Sequence, residues 1–260
     1  MELNNTWRKT AATIYEKPRD SKMLGAVEID ITHVEEFITQ KRKEGIKITL
    51  THIFAMAIGK SVKYDVPELN CYLTRGKIFQ RKTVDAMISV LIGKNQMGSV
   101  IVKDIDKYNI VELSKYLDQK ILATKEKKED QSKKKKNMLA SVPWPFRKPL
   151  FKFIRWTSQD LGIIIPGIGI KTDAFGSFIL SNIGSLGLDV GFGSLMPPSN
   201  LAFVIFMGKS QKKPVVVNDE IVIRKMISLT SALDHRIIDG SHGGNLFRAI
   251  KKYLAEPEKL

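Results

Sequence analysis

Apolar and polar residues trade places through "GAVEIDI", residues 25–31, which predicts a half-buried strand. The period then changes. In "THVEEFITQKRKEG" the apolar residues Val34, Phe37 and Ile38 recur at helical spacing. Thr32 and Glu35 stand at Thr-x-x-Glu capping-box spacing there, and Gly45 marks the stop. "THIFAMAIGKSVKY" predicts a second helix capped by Thr51, with Ile53, Phe54, Ala57, Ile58 and Val62 inward and Pro67 beyond its end. "NCYLTRGKIFQRK" reads as two strands around a turn at Gly76, and "VDAMISVLIG" and "SVIVKDI" as two more. From about Asn109 a long amphipathic helix follows, with Val111, Tyr116, Leu117, Ile121 and Leu122 at helical spacing.

The second half of the chain has a different rhythm. Eight of the eighteen glycines fall between Gly162 and Gly193, around "FGSFILSNIG", so the backbone there needs unusual turns or close approach. "LAFVIFMGK" is a buried strand, and "PVVVNDEIVIRKMISLTSAL" a hairpin turning at Asn218-Asp219 whose second arm runs to His235. A closing helix carries Leu246, Phe247, Ile250, Tyr253 and Leu254 on one face. Strands and helices without a strict βαβ alternation predict an α+β fold around a mixed sheet.

Charge divides the chain. The net charge is +15 over 260 residues, yet Lys125 to Trp156 holds eleven Lys/Arg against three Asp/Glu, more than half of the excess. One basic appendage fits this better than a whole-surface nucleic-acid binder, and no nucleic-acid partner is expected. Within it, "MLASVPWPFRKPLFKFIRW" combines aromatic and basic residues. Two readings stay open: a helix lying on an anionic membrane surface, or an insertion packed on its own protein or a neighbouring subunit. A single cysteine, Cys71, leaves no internal disulfide, and no secretory signal or membrane span is evident. The expectation is a cytoplasmic protein.

Candidate chemistry concentrates in "LTSALDHRIIDGSHGG". His235 stands where a strand ends and a glycine-containing turn begins, so its ring can face a cleft and exchange a proton near neutrality. Asp239, four residues on, could orient that ring or fix the turn. Alone, His-x-x-x-Asp-Gly fits a structural histidine as well as a catalytic one. His235 and His242 make a poor metal pair, with no cysteine cluster beside them, so no metal is expected. His33 and His52 start helices and read as structural, and Cys71 reads as a buried apolar residue.

Together these segments resemble the catalytic domain of the dihydrolipoamide acyltransferases, the core components of 2-oxoacid dehydrogenase complexes. "TSALDHRIIDG" resembles the family's Asp-His-Arg-x-x-Asp-Gly signature, and "FGSFILSNIGSLGLD" its Phe-Thr-Ile-Ser-Asn-x-Gly stretch. "KITLTHIFAMAIGKSVKYDVPELNCYL" resembles the helix ending in Pro-Glu-x-Asn, and "AEPEKL" the C-terminal Pro-Glu. Chloramphenicol acetyltransferase shares the fold and the His-x-x-x-Asp-Gly motif. However, that branch typically has a second histidine where this chain has Asp234, and Arg236 also follows the dehydrogenase-core pattern.

The resemblance implies a chloramphenicol acetyltransferase-like α/β (α+β) two-layer sandwich, a mixed sheet covered by helices. It implies one catalytic domain over residues 1–260, interrupted by the insertion at about 125–156. It also implies acyl transfer between coenzyme A and a thiol, with His235 as general base, Ser181 donating to the oxyanion and Asp239-Gly240 shaping the turn. Arg8, in "TWRKTA", falls near the family arginine that holds the aspartate. The family site lies between subunits of a homotrimer, which can assemble into a larger shell. Nothing here resembles a lipoyl or subunit-binding domain, so a lipoyl group would come in trans, from a carrier protein or a dehydrogenase component. The apolar tail that joins family trimers is not seen after Leu260. Two other readings stay open: acetyl-CoA-dependent O-acetylation of a small molecule, and an inactive oligomeric scaffold.

Overall fold

The computed structural model describes residues 21–91, 97–126, 142–143, 145–163, 174–195 and 199–260. Arg8, Trp144 and the lysine run of the insertion lie outside the described residues. Among the described residues are nine strands and five α-helices. In chain order they are β1 (Lys22–Asp30), α1 (Thr32–Lys43), α2 (Leu50–Lys60), β2 (Cys71–Thr74), β3 (Lys77–Gln80), β4 (Ala86–Leu91) and β5 (Met97–Val102). After α3 (Ile110–Glu126) and α4 (Arg147–Arg155) come β6 (Phe178–Asn182), β7 (Phe203–Met207), β8 (Gln211–Val217), β9 (Glu220–Asp234) and α5 (Gly240–Ala255).

The main sheet runs β1-β9-β7-β6-β4-β5, with β8 also paired to β9. It is mixed: β4, β6 and β7 are parallel to one another, and the other pairings are antiparallel. The long β9 organises it. Its second half lies between β1 and β7, while its first half pairs β8 and projects past the sheet. Asn218 and Asp219 both have positive φ, 51° and 65°, the type I′ geometry that suits a two-residue hairpin. Arg75 and Gly76 make a similar turn in the separate β2–β3 hairpin.

Strand alternation sorts the core into two faces. Ile88, Leu180, Ile205 and Leu229 face one side, where they pack with Phe37, Ile53, Leu117 and Leu246 from α1, α2, α3 and α5. Met87, Ile179, Val204 and Ala232 face the other side, a smaller cluster joined by Phe175, Leu195 and Phe206. The mixed sheet covered by helices is the fold class expected from the sequence. The structure places Leu113 and Ile110 in the core, whereas Leu122, expected inward, is 58% exposed. Ile121 still packs on the core, so the buried stripe of α3 runs through Ile110, Leu113, Leu117 and Ile121 and leaves Leu122 one position round the helix.

Both expected N-caps also differ. Helix α1 begins with Ile31 at the N-cap. The Thr32 hydroxyl donates to Asp30 Oδ1 at 2.6 Å, and Glu35 pairs with Lys225 instead of reaching back to the cap. Asp30, two residues before the expected motif, offers Thr32 a nearer acceptor. Helix α2 is capped by Thr49 rather than Thr51, and His52 takes the capping-box place usually held by Glu or Gln. Its Nδ1 accepts the Thr49 N–H at 3.2 Å, so the ring must be unprotonated there.

His52 is buried, and desolvation pulls its pKa below the ordinary histidine value, opposed by the nearby charge of Asp118. A depressed pKa means that the folded state resists protonation. The contribution to stability is therefore full above the unfolded value of about 6.5 and is lost as pH falls below it. Charging the ring also breaks the cap, which is typically worth about 1 kcal/mol. Between pH 7 and pH 5 the thermal midpoint should fall more steeply for the native chain than for His52→Gln, whose amide oxygen can cap at either pH. Parallel slopes would show that His52 does not carry this dependence.

Candidate active site at the end of the central strand

β9 is buried from Ile227 to Asp234, so the chain leaves the sheet from a buried interior strand. A carboxylate there needs a partner, because an unpaired buried charge is costly. Arg236 supplies it two residues on: Nε lies 2.9 Å from Asp234 Oδ1, and an Nη lies 2.6 Å from Oδ2. The Arg236 backbone N–H also donates to Asp234 Oδ1 at 3.0 Å. Hydrogen bonding to Asp234 raises the Arg236 pKa above its ordinary value, against a smaller desolvation effect. This paired fork closes the turn on which His235 rides.

His235 projects from that turn with its side chain 51% exposed. Its N–H donates to the Ser21 carbonyl at 2.9 Å, which ties the turn to the residue before β1. Nδ1 lies 3.0 Å from the carbonyl oxygen of Ile238, and a carbonyl can only accept. That contact selects the tautomer with the proton on Nδ1, leaving the Nε2 lone pair facing outward. Asp239 Oδ1 lies 3.4 Å from the same Nδ1, so a positive charge formed on the ring would meet a carboxylate. Asp239 is also the N-cap of α5, in a capping box with His242, whose Nδ1 accepts the Asp239 N–H at 3.1 Å. His242 is therefore committed to the helix start. A Cβ at Gly240 would meet nothing within 4 Å, so close packing is not what calls for glycine there.

Ser181 lies elsewhere in the same chain. It is half-buried near the end of β6, on the sheet face with Ile179, Val204 and Ala232, and its hydroxyl has no hydrogen-bond partner among the described residues. In register, Ser181 pairs with Phe206 and Phe206 with Thr230, while His235 is five residues beyond Thr230 on β9. Strand geometry makes that ~17 Å along the sheet and ~10 Å across it, or about 20 Å in all. The histidine and the serine of one chain thus stand at opposite ends of the sheet.

Asn182 shapes the turn after Ser181. Its side chain accepts the Ser185 N–H at 3.2 Å and donates to the Thr51 hydroxyl at 3.2 Å. A Cβ on Gly184 would lie 2.5 Å from the Gly208 carbonyl oxygen, so here glycine permits two backbone segments to touch. Beside the His235 turn is a cavity of about 430 Å³ whose lining includes Gln159, Asp160, Asn200, Leu201, Asp234 and Arg236. A larger one of about 560 Å³ lies between α1 and the base of the β8–β9 hairpin and contains neither His235 nor Ser181.

The other candidates fall away from this chemistry. Cys71 is buried, and its thiol donates to the Glu68 carbonyl at 2.9 Å. Desolvation pushes its pKa up to about 11, so it carries little thiolate at neutral pH. His33 is exposed and lies 2.9 Å from Glu258. Among the described residues, no group of three or more His, Cys, Asp or Glu is gathered as a metal site. Sequence alone leaves the Asp234–Arg236 clamp unassigned. The sequence signal is an acid and an arginine two apart, at the end of the longest uncharged stretch of β9.

Residues 173–260 match the family model described as 2-oxoacid dehydrogenases acyltransferase (catalytic domain). The pyruvate dehydrogenase dihydrolipoyllysine-residue acetyltransferase component of Rickettsia felis is 26% identical over 211 residues, 81% of this chain and 41% of that protein. Its counterpart in Acholeplasma laidlawii is 40% identical over 93 residues, 36% of this chain and 17% of that protein. The chain thus spans less than half the length of these relatives. Among solved structures, a probable dihydrolipoamide acetyltransferase from Listeria monocytogenes matches with a TM-score of 0.68 at 20% identity, covering 98% of this chain and 93% of that one. The Azotobacter vinelandii dihydrolipoamide acetyltransferase matches at 0.67 and 17% identity, covering 93% and 84%. That structure accompanied a study of a serine, a histidine and an asparagine four residues after it in the catalytic mechanism. A chloramphenicol acetyltransferase matches at 0.53 and 11% identity, covering 98% of each chain. The fold is therefore the chloramphenicol acetyltransferase-like one.

Proposed function

We propose that this chain is an acyltransferase catalytic domain of the 2-oxoacid dehydrogenase type, moving an acyl group between coenzyme A and the thiol of a dihydrolipoamide. The observation that carries this reading is the His235 ring itself: exposed, fixed through Nδ1 on the Ile238 carbonyl, and presenting an unprotonated Nε2. A free thiol with a pKa of about 8.5 is mostly protonated at neutral pH, and only the thiolate is a strong nucleophile. Nε2 takes the thiol proton as sulfur attacks the thioester carbonyl carbon. The tetrahedral oxyanion that forms needs a donor, and the Ser181 hydroxyl is the candidate. Its collapse breaks the original carbon–sulfur bond, and the departing thiolate recovers the proton from His235. Asp239 faces the imidazolium while it exists.

Because about 20 Å separates His235 from Ser181 along one sheet, the two cooperate only if they come from different chains. The reading therefore includes a closed oligomer, and the trimer is the form that the family resemblance implies. Exposed apolar side chains support such an interface. Val216, Ile221 and Ile223 on the projecting hairpin are 70–79% exposed, and Leu186, Leu188, Val190 and Phe192 after Ser181 are about half exposed. A pyruvate dehydrogenase multienzyme complex core of the same fold is cubic.

Incubating the purified chain with acetyl-CoA and dihydrolipoamide should release free coenzyme A and form S-acetyldihydrolipoamide, read by thiol titration and mass spectrometry. Turnover with a hydroxylated small molecule but none with dihydrolipoamide would move the assignment to O-acetylation. No turnover by a correctly assembled oligomer with either acceptor would leave the scaffold reading.

A further inference from the structure

We infer that α4 and the turn after it form a docking surface for an anionic phospholipid bilayer. The helix is held to the protein on one side only. Ile154 is buried, and the chain beyond the helix is pinned to the β2–β3 hairpin: the Thr74 hydroxyl donates to the Gln159 carbonyl at 2.5 Å, and the Arg75 N–H donates to Asp160 O at 2.8 Å. On the outer side Phe146, Leu150 and Phe153 follow one another at helical spacing and are 67%, 38% and 54% exposed. Trp156, half exposed, extends the row, and its ring lies 6.2 Å from that of Phe153. A buried helix would not present three aromatic rings and a leucine to water.

Charge selects the occupant. No acidic residue occurs between Asp130 and Asp160, and that stretch holds eight Lys/Arg. Lys152 is exposed on the helix itself, beside the aromatic row. Apolar rings in a segment rich in basic residues are the combination that inserts at the headgroup boundary of an anionic leaflet. A second copy of the same surface would bring like charges together, which opposes self-pairing. No helix among the described residues is long and apolar enough to cross a membrane, so the contact is one of lying on the surface. Arg155 also lines the cavity beside Asp234 and Arg236, so a docked α4 would hold the His235 turn close to the lipid. This inference is independent of the reaction assigned to His235.

Flotation of the full chain tests it, using vesicles of phosphatidylcholine alone or mixed with phosphatidylglycerol at about seven to three. The chain should float with the mixed vesicles and not with the neutral ones, with the fraction bound falling as salt is raised. Phe146→Ser/Phe153→Ser should lower the partition coefficient about tenfold or more. Lys152→Glu should lower it roughly tenfold, without changing the oligomer's mass. Equal partition into both vesicle types, or into neither, overturns the inference. So does an undiminished double variant, or equally tight binding to a soluble polyanion, which would need charge without apolar insertion. A change in sedimenting mass in the double variant would assign the surface to another copy of the chain.

Discussion

His235→Ala lowers the turnover number for acyl exchange by about 10²–10⁴, the range lost with a positioned general base, while the Michaelis constant for acetyl-CoA stays within a few-fold. This split is expected because Nε2 gives little to the bound ground state and acts as the thiol proton moves. The variant should fold normally: the ring is half exposed, and what it gives up in the folded chain is one hydrogen bond to the Ile238 carbonyl. That bond exchanges with solvent at a net value of about 1 kcal/mol. A variant with unchanged thermal midpoint and unchanged turnover would remove His235 from the reaction. His235→Asn separates orientation from basicity: its amide N–H stands where Nδ1–H stood and can still donate to the Ile238 carbonyl, but it cannot accept a proton, so it should be as inactive as alanine.

The histidine was legible because its sequence position carries physical meaning. A strand that stays uncharged from Met226 through Leu233 and then meets Asp-His-Arg, two isoleucines and Asp-Gly must leave a buried sheet through a polar turn. What that turn does with its atoms was not legible. The tautomer depends on the Ile238 carbonyl folding back to 3.0 Å from Nδ1, a contact set by buried Ile238 packing under the turn. Likewise, Asp234 looked like a marker distinguishing two families, and its clamp on Arg236 appears only when both burial and distance are known. The helix caps failed for a related reason. Thr32 and Glu35 satisfied a local motif, but Asp30 and Lys225 compete for them, and Lys225 is distant in sequence. The two-residue turns were read well because Asn218-Asp219 encodes its backbone geometry locally. Local chemistry was readable, and chemistry shared between distant strands was not.

Co-assembling two inactive variants restores activity. Ser181→Ala alone should lose about 10²–10³ in turnover, as when an oxyanion donor is removed, and His235→Ala at least as much. In one chain the two residues are about 20 Å apart across the register from β6 through β7 to β9, far too distant for a base and an oxyanion donor that must each reach within ~3 Å of one reacting thioester. If each site joins the histidine of one chain to the serine of the next, a mixed ring contains some junctions where both groups are native. Random assembly from equal amounts makes that junction about one in four, whatever the size of the closed ring. Mixed oligomers, prepared by co-expression at equal levels and purified without selecting for composition, should therefore recover about a quarter of native activity, well above either parent. The double variant mixed with the native chain gives the control, since its defects fall in one chain: about one junction in four again has both groups native. Recovery in the first mixture can arise only if neighbouring chains complete each other's sites. Activity no higher than the mean of the two single-variant parents would show that Ser181 and His235 do not meet at a shared interface.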